Sequence, residues 1–245
     1  MTQRFVGAVA IGCAFVVPMR AQPPASPQPP AVTHTAYSRN TELFAEWRPL
    51  IVGQATRLTV HLTRTGDRFR PYAQGKVTLN LTVDGAIANA AAEGPERPGV
   101  FRLNVTPTKA GTGRVVIDVT AATGAEHFVI DDVPVYPDVQ AAVAKQAAAE
   151  TGLVSYAKER SWEEDFATAQ VTGLFQGAAR IVTVPLTAIV RDGATTQVYV
   201  QRTPERFELR DVTTRRTIGD AIEITSGLRD GDRIVVRGTE KMPRK

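Results

Sequence analysis

The chain has 245 residues, enough for one large or two small domains, and 43% of them are hydrophobic, so it can bury a substantial core. Its formal net charge is +4, from 29 Lys+Arg against 25 Asp+Glu. Basic and acidic residues interleave, as in Arg206/Glu208/Arg210/Asp211. That mixing suits a solvated sheet face and argues against a nucleic-acid partner, which needs one sign of charge gathered on one surface.

The N-terminus reads MTQRFVGAVAIGCAFVVPMRAQPP. Arg4 precedes an apolar run, residues 5–17, of signal-peptide length and too short to span a bilayer. Residues 1–21 are therefore expected to be a cleaved signal peptide, with the mature chain starting near Gln22 in the periplasm. Lipidation at Cys13 is the weaker alternative, because the apolar stretch continues past it to Val17. Cys13 is the single cysteine, so a mature chain cut at Gln22 has no disulfide, thiol nucleophile or thiolate metal site.

Residues 22–32 are a Pro-rich linker. From 33 to 137 short alternating runs recur between Gly, Pro and Asp turns. They are 41–47 (TELFAEW), 57–63, 76–84, 99–105, 113–120 and 127–136, and they predict a β-sandwich of immunoglobulin-like architecture. Residues 138–151 (DVQAAVAKQAAAET) form an Ala-rich, helix-prone connector with a narrow apolar face. Its poverty in apolar surface suggests that the flanking units can be cut apart there. Residues 152–240 return to β patterning, with strands at 197–201, 206–212 and 221–225 and turn dipeptides Asp192-Gly193 and Asp230-Gly231. Residues 241–245 are a basic tail. The fold class is mainly β: an N-terminal sandwich, a helical connector and a small antiparallel C-terminal β-domain.

Word order adds to this pattern. The phrases VPLTAIVRDGATTQVYVQ, FELRDVTTR and GDAIEITSGLRDGDRIVVRG, at 184–201, 207–215 and 219–238, stand in the order in which they occur in the membrane-proximal domain of periplasmic adaptor subunits. The chain resembles these adaptors, the membrane fusion proteins of resistance-nodulation-division (RND) efflux pumps. THTAYSRNTELFAEWRPLIVGQATRLTVHLTR, at 33–64, is similar to the extra N-terminal domain of the heavy-metal type. A further phrase of that type, Lys158-Glu159 with Trp162 and Phe166-Ala167-Thr168, leads into the membrane-proximal domain. Full adaptors then build a β-barrel, a lipoyl-like domain and a helical hairpin before returning. Here only residues 172–180 separate the outgoing and returning strands, so the chain reads as an adaptor lacking that insert, with 172–177 as the reconnecting loop.

The resemblance implies a non-enzymatic role in transmembrane export. The partners would be an inner-membrane RND pump or a full-length adaptor, with no outer-membrane channel contact and membrane association only through partners. Candidate partner-binding residues are Arg191, Asp192, Arg229, Asp230 and Asp232 in the turns. The alternative is a periplasmic metal- or ligand-binding module. Its metal candidates are His34, His61 and His127, the only histidines. None has His-x-His or Glu-x-x-His spacing, and each reads as a surface residue, with His34 ahead of the first strand and His61 on a polar strand face. Only Met242 would survive cleavage among the methionines, so a methionine Cu(I) site is excluded; any metal would be Zn²⁺, Ni²⁺ or Co²⁺ on His and carboxylates. No Gly-x-Ser-x-Gly or Walker motif occurs, and no catalytic residue or cofactor is expected. The acidic run 163–165 reads as a solvated helix face, and Trp47 and Trp162 as packing residues with interface anchoring as the rarer use.

Overall fold

The computed structural model describes residues 29–122, 124–145, 151–176 and 179–243, without the side chains of 174–180. The signal-peptide and Cys13 readings lie outside these residues. Among the described residues ten strands precede the connector: β1 (Val32–Tyr37), β2 (Thr41–Trp47), β3 (Leu50–Ile51), β4 (Thr56–Arg64), β5 (Arg70–Pro71), β6 (Lys76–Val83), β7 (Ala86–Ala92), β8 (Val100–Val105), β9 (Gly111–Ala121) and β10 (Gly124–Tyr136). They form two sheets. The first runs β1-β2-β4-β5, with β8 also on β4; the second runs β3-β10-β9-β6-β7. Alternate residues of the two sheets meet in one core, among them Leu43, Leu58, Val60, Leu79, Phe101, Ile117 and Phe128. This is a two-layer sandwich, as the period-2 pattern predicts.

Two strands differ from expectation. His34 lies within β1, half-buried, and stacks on Trp47 with ring centroids 4.7 Å apart. The Ala-rich strand β7 is an edge strand whose alternation is muted because alanine fills both faces.

After β10 comes the short helix α1 (Val139–Ala144). Asp138 caps it by accepting from the Ala141 amide at 2.8 Å, which satisfies one of the N–H groups a helix start leaves open. The second unit holds β11 (Val154–Ser155), helix α2 (Arg160–Glu163), β12 (Ala167–Gln170), β13 (Leu174–Gln176), β14 (Ala179–Pro185), β15 (Val190–Asp192), β16 (Thr195–Thr203), β17 (Arg206–Asp211), β18 (Thr213–Ile218), β19 (Ala221–Ser226) and β20 (Arg233–Arg237). One sheet runs β11-β17-β16-β20-β12, with β15 on β16; another runs β13-β14-β19-β18. The stretch expected as a plain reconnecting loop forms part of a hairpin, with Leu174–Gln176 pairing antiparallel to β14. No helix among the described residues is long and apolar enough to cross a membrane.

Burial along β2 departs from alternation. Thr41, Glu42, Leu43, Phe44, Ala45 and Trp47 are all buried. Leu43, Ala45 and Trp47 face the sandwich core, while Glu42 and Phe44 face the second unit. The same holds at β4, where His61 and Thr63 are buried opposite Leu58, Val60 and Leu62. One hydrophobic cluster joins the units directly: Phe69 and Val100 of the sandwich pack with Tyr156, Trp162, Phe166, Tyr199, Phe207, Val235 and Met242. The connector is therefore not the sole joint, contrary to the expectation that the units separate freely. Met242, expected in a tail, is part of this cluster.

Candidate functional site: the seam between the two units

The two sequence phrases carrying the N-terminal resemblance meet across this seam. Glu42 of TELFAEW forms an ion pair with Lys158 of the Lys-Glu-x-x-Trp phrase, and the side chains are 0% and 1% exposed. Glu42 also accepts from the Tyr37 hydroxyl at 2.8 Å and from Gln201 Nε2 at 3.3 Å. Burial opposes ionisation of Glu42, but the Lys158 charge and these hydrogen bonds outweigh it and hold the carboxyl below its ordinary range. Burial likewise lowers Lys158, with Glu42 pulling the other way. The Lys158 ammonium stands 4.5 Å from the Phe69 ring centroid, so an aromatic face covers the charge. Arg233 covers the Tyr37 ring in the same way, at 4.0 Å. Burial, followed by the Glu42 charge, raises the Tyr37 phenol and keeps it a donor. A polar cleft of about 310 Å³ opens beside this network, with Tyr37, Gln201, Asp232 and Arg233 in its wall.

Trp162 is the second tie. Its indole N–H donates to Thr63 Oγ1 at 2.9 Å, from α2 to β4. Its ring lies on Gly99: a Cβ there would fall 2.5 Å from Trp162 Cη2 and 2.7 Å from Pro71 Cβ, and Gly99 has φ +82°. Only glycine meets both conditions. Gly99→Ala should cost about 2–4 kcal/mol, from overpacking plus the left-handed backbone penalty. Urea unfolding followed by tryptophan fluorescence measures it, and a change under about 0.5 kcal/mol would mean that this contact is slack.

His61 corrects the surface reading. It is 4% exposed, stacks on Phe44 at 5.5 Å and meets the Trp162 ring edge at 6.0 Å. Its Nε2 is 3.8 Å from Glu159, which also binds Arg97 at 2.5 Å. Its Nδ1 has no hydrogen-bond partner among the described residues. Burial lowers His61 from 6.5 to about 4; Glu159 and Glu42 oppose this, and Lys158 and Arg97 add to it. The folded state holds it neutral, whereas the unfolded chain protonates it below 6.5. Its contribution is therefore present above pH 6.5 and is lost as pH falls towards 4. That window should remove about 3 kcal/mol. His61→Phe should flatten stability between pH 6.5 and 4 in denaturant titrations; an unchanged slope would assign the acid sensitivity elsewhere.

The three histidines do not converge. His34 stacks on Trp47 under β1, and burial lowers its pKa. His61 is in the seam, and His127 is exposed on the second sheet with Nδ1 2.6 Å from Asp118. Among the described residues no group of three or more His, Cys, Asp or Glu is arranged to hold a metal ion. Burial, then Glu205 and Glu159, raises Glu46 beside the seam.

The turn residues fall into two places. Arg191 and Asp192 are exposed on β15, beside its hairpin with β16. Arg229, Asp230 and Asp232 share the turn before β20: Asp232 accepts from the Arg229 amide and from Arg210, each at 2.7 Å. Arg229 and Asp230 are exposed, whereas the Asp232 side chain is only 14% exposed and helps to hold the turn. The acidic run 163–165 is likewise engaged, since Glu164 accepts from Tyr156 and Arg160 and Asp165 lies 3.4 Å from Arg237.

Comparison with known proteins bears on the second unit most directly. No curated protein matches the chain. Among solved structures it is similar to a 180-residue segment of SilB from Cupriavidus metallidurans CH34, comprising the N-terminal metal-binding site and the membrane proximal domain. Identity is 32% over 29% of this chain and 39% of that one, with a TM-score of 0.26. It is also similar to ZneB from Cupriavidus metallidurans, at 16% identity over 74% of this chain and 40% of that one, with a TM-score of 0.23. The chain thus spans about two fifths of the length of either. Residues 180–241 match the family model of the C-terminal permuted SH3 domain of RND membrane fusion proteins. The resemblance read from the phrases at 184–238 is thereby shown over residues 180–241.

Proposed function

We propose that the chain is a non-enzymatic, adaptor-like subunit of an RND efflux system of heavy-metal type. It acts in the periplasm and associates with the inner-membrane pump or with a full-length adaptor. The match of residues 180–241 to the adaptor C-terminal domain carries this reading. The short route from β12 to β14 supports a version of the fold that omits the barrel, lipoyl and hairpin insert, and with it the reach to an outer-membrane channel. The exposed turn residues Arg191, Asp192, Arg229 and Asp230 are the contact surface. Their mixed charges give a salt-sensitive association of modest affinity. In-cell crosslinking followed by mass spectrometry of solubilised membranes tests this. Recovery of the pump or a full-length adaptor is the expected result. Recovery of neither, or of a channel protein alone, overturns it.

A further inference from the structure

The outer face of the first sheet is covered by the second unit around Glu42, Phe44, His61, Thr63 and Val100, whereas the outer face of the second sheet leaves Ile87 and Val129 exposed. Four strands of that sheet line up in three rows. The middle row is Asn89–Asn80–Val116–Val129 across β7, β6, β9 and β10. One flanking row is Ala91–Thr78–Asp118–His127. The other is Ile87–Thr82–Arg114, continued by Asp131, which lies 2.5 Å from Arg114. Ile87 is 62% and Val129 43% exposed, and the grid contains no lysine. The centre of this face is apolar or uncharged, its charged side chains lie to either side, and the Lys76–Glu93 ion pair borders it beyond Thr78 and Ala91.

The polar side chains obey a symmetry. Arg114 and Asp118 sit two residues either side of Val116 on β9, and on β10 Asp131 and His127 sit two residues either side of Val129. A two-fold axis along the middle row exchanges the flanking rows of two facing sheets. Arg114 of one copy then lies over Asp118 of the other, and Asp131 over His127. Val116, Val129, Asn80 and Asn89 each meet their own counterpart. An isologous interface requires this self-complementarity, and aligned sheet packing supplies the geometry.

We infer that this face pairs two copies of the chain back to back through their second sheets. The inference does not depend on the efflux reading. The grid covers roughly 400 Å² per copy by strand spacing and rise, about half of what a stable complex buries per partner. The dimer is therefore weak, concentration-dependent and salt-sensitive.

Sedimentation velocity of the full chain over a wide concentration range tests it, because Asn80 faces itself across the axis. Asn80→Asp and Asn80→Lys each set like charges in contact and should weaken dimerisation at least about tenfold. Mixing the two variants in equal amounts should restore it. Val116→Arg, at the centre of the face, should abolish it independently, with circular dichroism and melting temperature confirming that each variant is folded. A chain that stays monomeric at every concentration overturns the inference. So does self-association that survives these substitutions, a mixture that fails to recover, or a face that instead captures a different protein.

Discussion

Lys158→Met should remove about 3–5 kcal/mol of stability, the cost of leaving a buried charge without its partner. Glu42 is fully buried and held ionised chiefly by Lys158. Without the ammonium, burial acts unopposed except by Tyr37 and Gln201, and the carboxyl is driven to take up a proton. The variant should therefore lose further stability as pH rises above the acid range, opposite in sign to the parent chain. In the parent, the depressed Glu42 contributes stability above 4.5 and loses it as pH falls through its folded value. Adding Glu42→Leu to Lys158→Met should recover most of the loss, since apolar replacements of a buried ion pair are often neutral or stabilising. Urea titrations of both singles and the double variant close the cycle. A single variant within 1 kcal/mol of the parent would mean that water reaches the pair.

A fragment of residues 151–243 should not stand alone as a stable monomer. Cutting at the connector strips Phe69 and Val100 from the cluster around Trp162 and Phe166. Each such apolar side chain is worth about 1.5–3 kcal/mol when buried. Together that is about 3–6 kcal/mol, a large part of a small domain's margin, which lies at about 5–15 kcal/mol. The fragment also exposes the Trp162 and Tyr156 rings, which invites aggregation. Size-exclusion chromatography and thermal melting decide the matter. A monomeric fragment with a cooperative melt close to that of the whole chain would show that the shared cluster adds little.

Most of the β architecture was legible because alternation is a local signal. The runs at 41–47, 57–63, 76–84 and 197–201 coincide closely with β2, β4, β6 and β16. β18 was not legible, because Thr213–Ile218 lies almost wholly exposed at a sheet edge and has no buried face to set a period. The seam was hidden for the opposite reason. His61, Thr63 and Glu42 are polar, and polar residues on alternate strand positions read as solvent-facing. Their burial depends on a second unit more than ninety residues away in sequence, as the Thr63–Trp162 hydrogen bond shows. One signal could have disclosed it. TELFAEW carries Leu43, Phe44 and Ala45 in succession, a run that a half-exposed strand does not need but one covered on both sides does.

That double coverage makes β2 a party wall. Leu43 and Phe44 are joined by a single peptide bond, yet Leu43 answers to the sandwich interior and Phe44 to the seam with His61. Substitutions at neighbouring positions here should act as distant ones usually do, adding without coupling. The same arrangement leaves the strand no idle side. Sequence drift along 41–47 is checked twice, once by each unit, and a change that suits one interior can still dislodge the other.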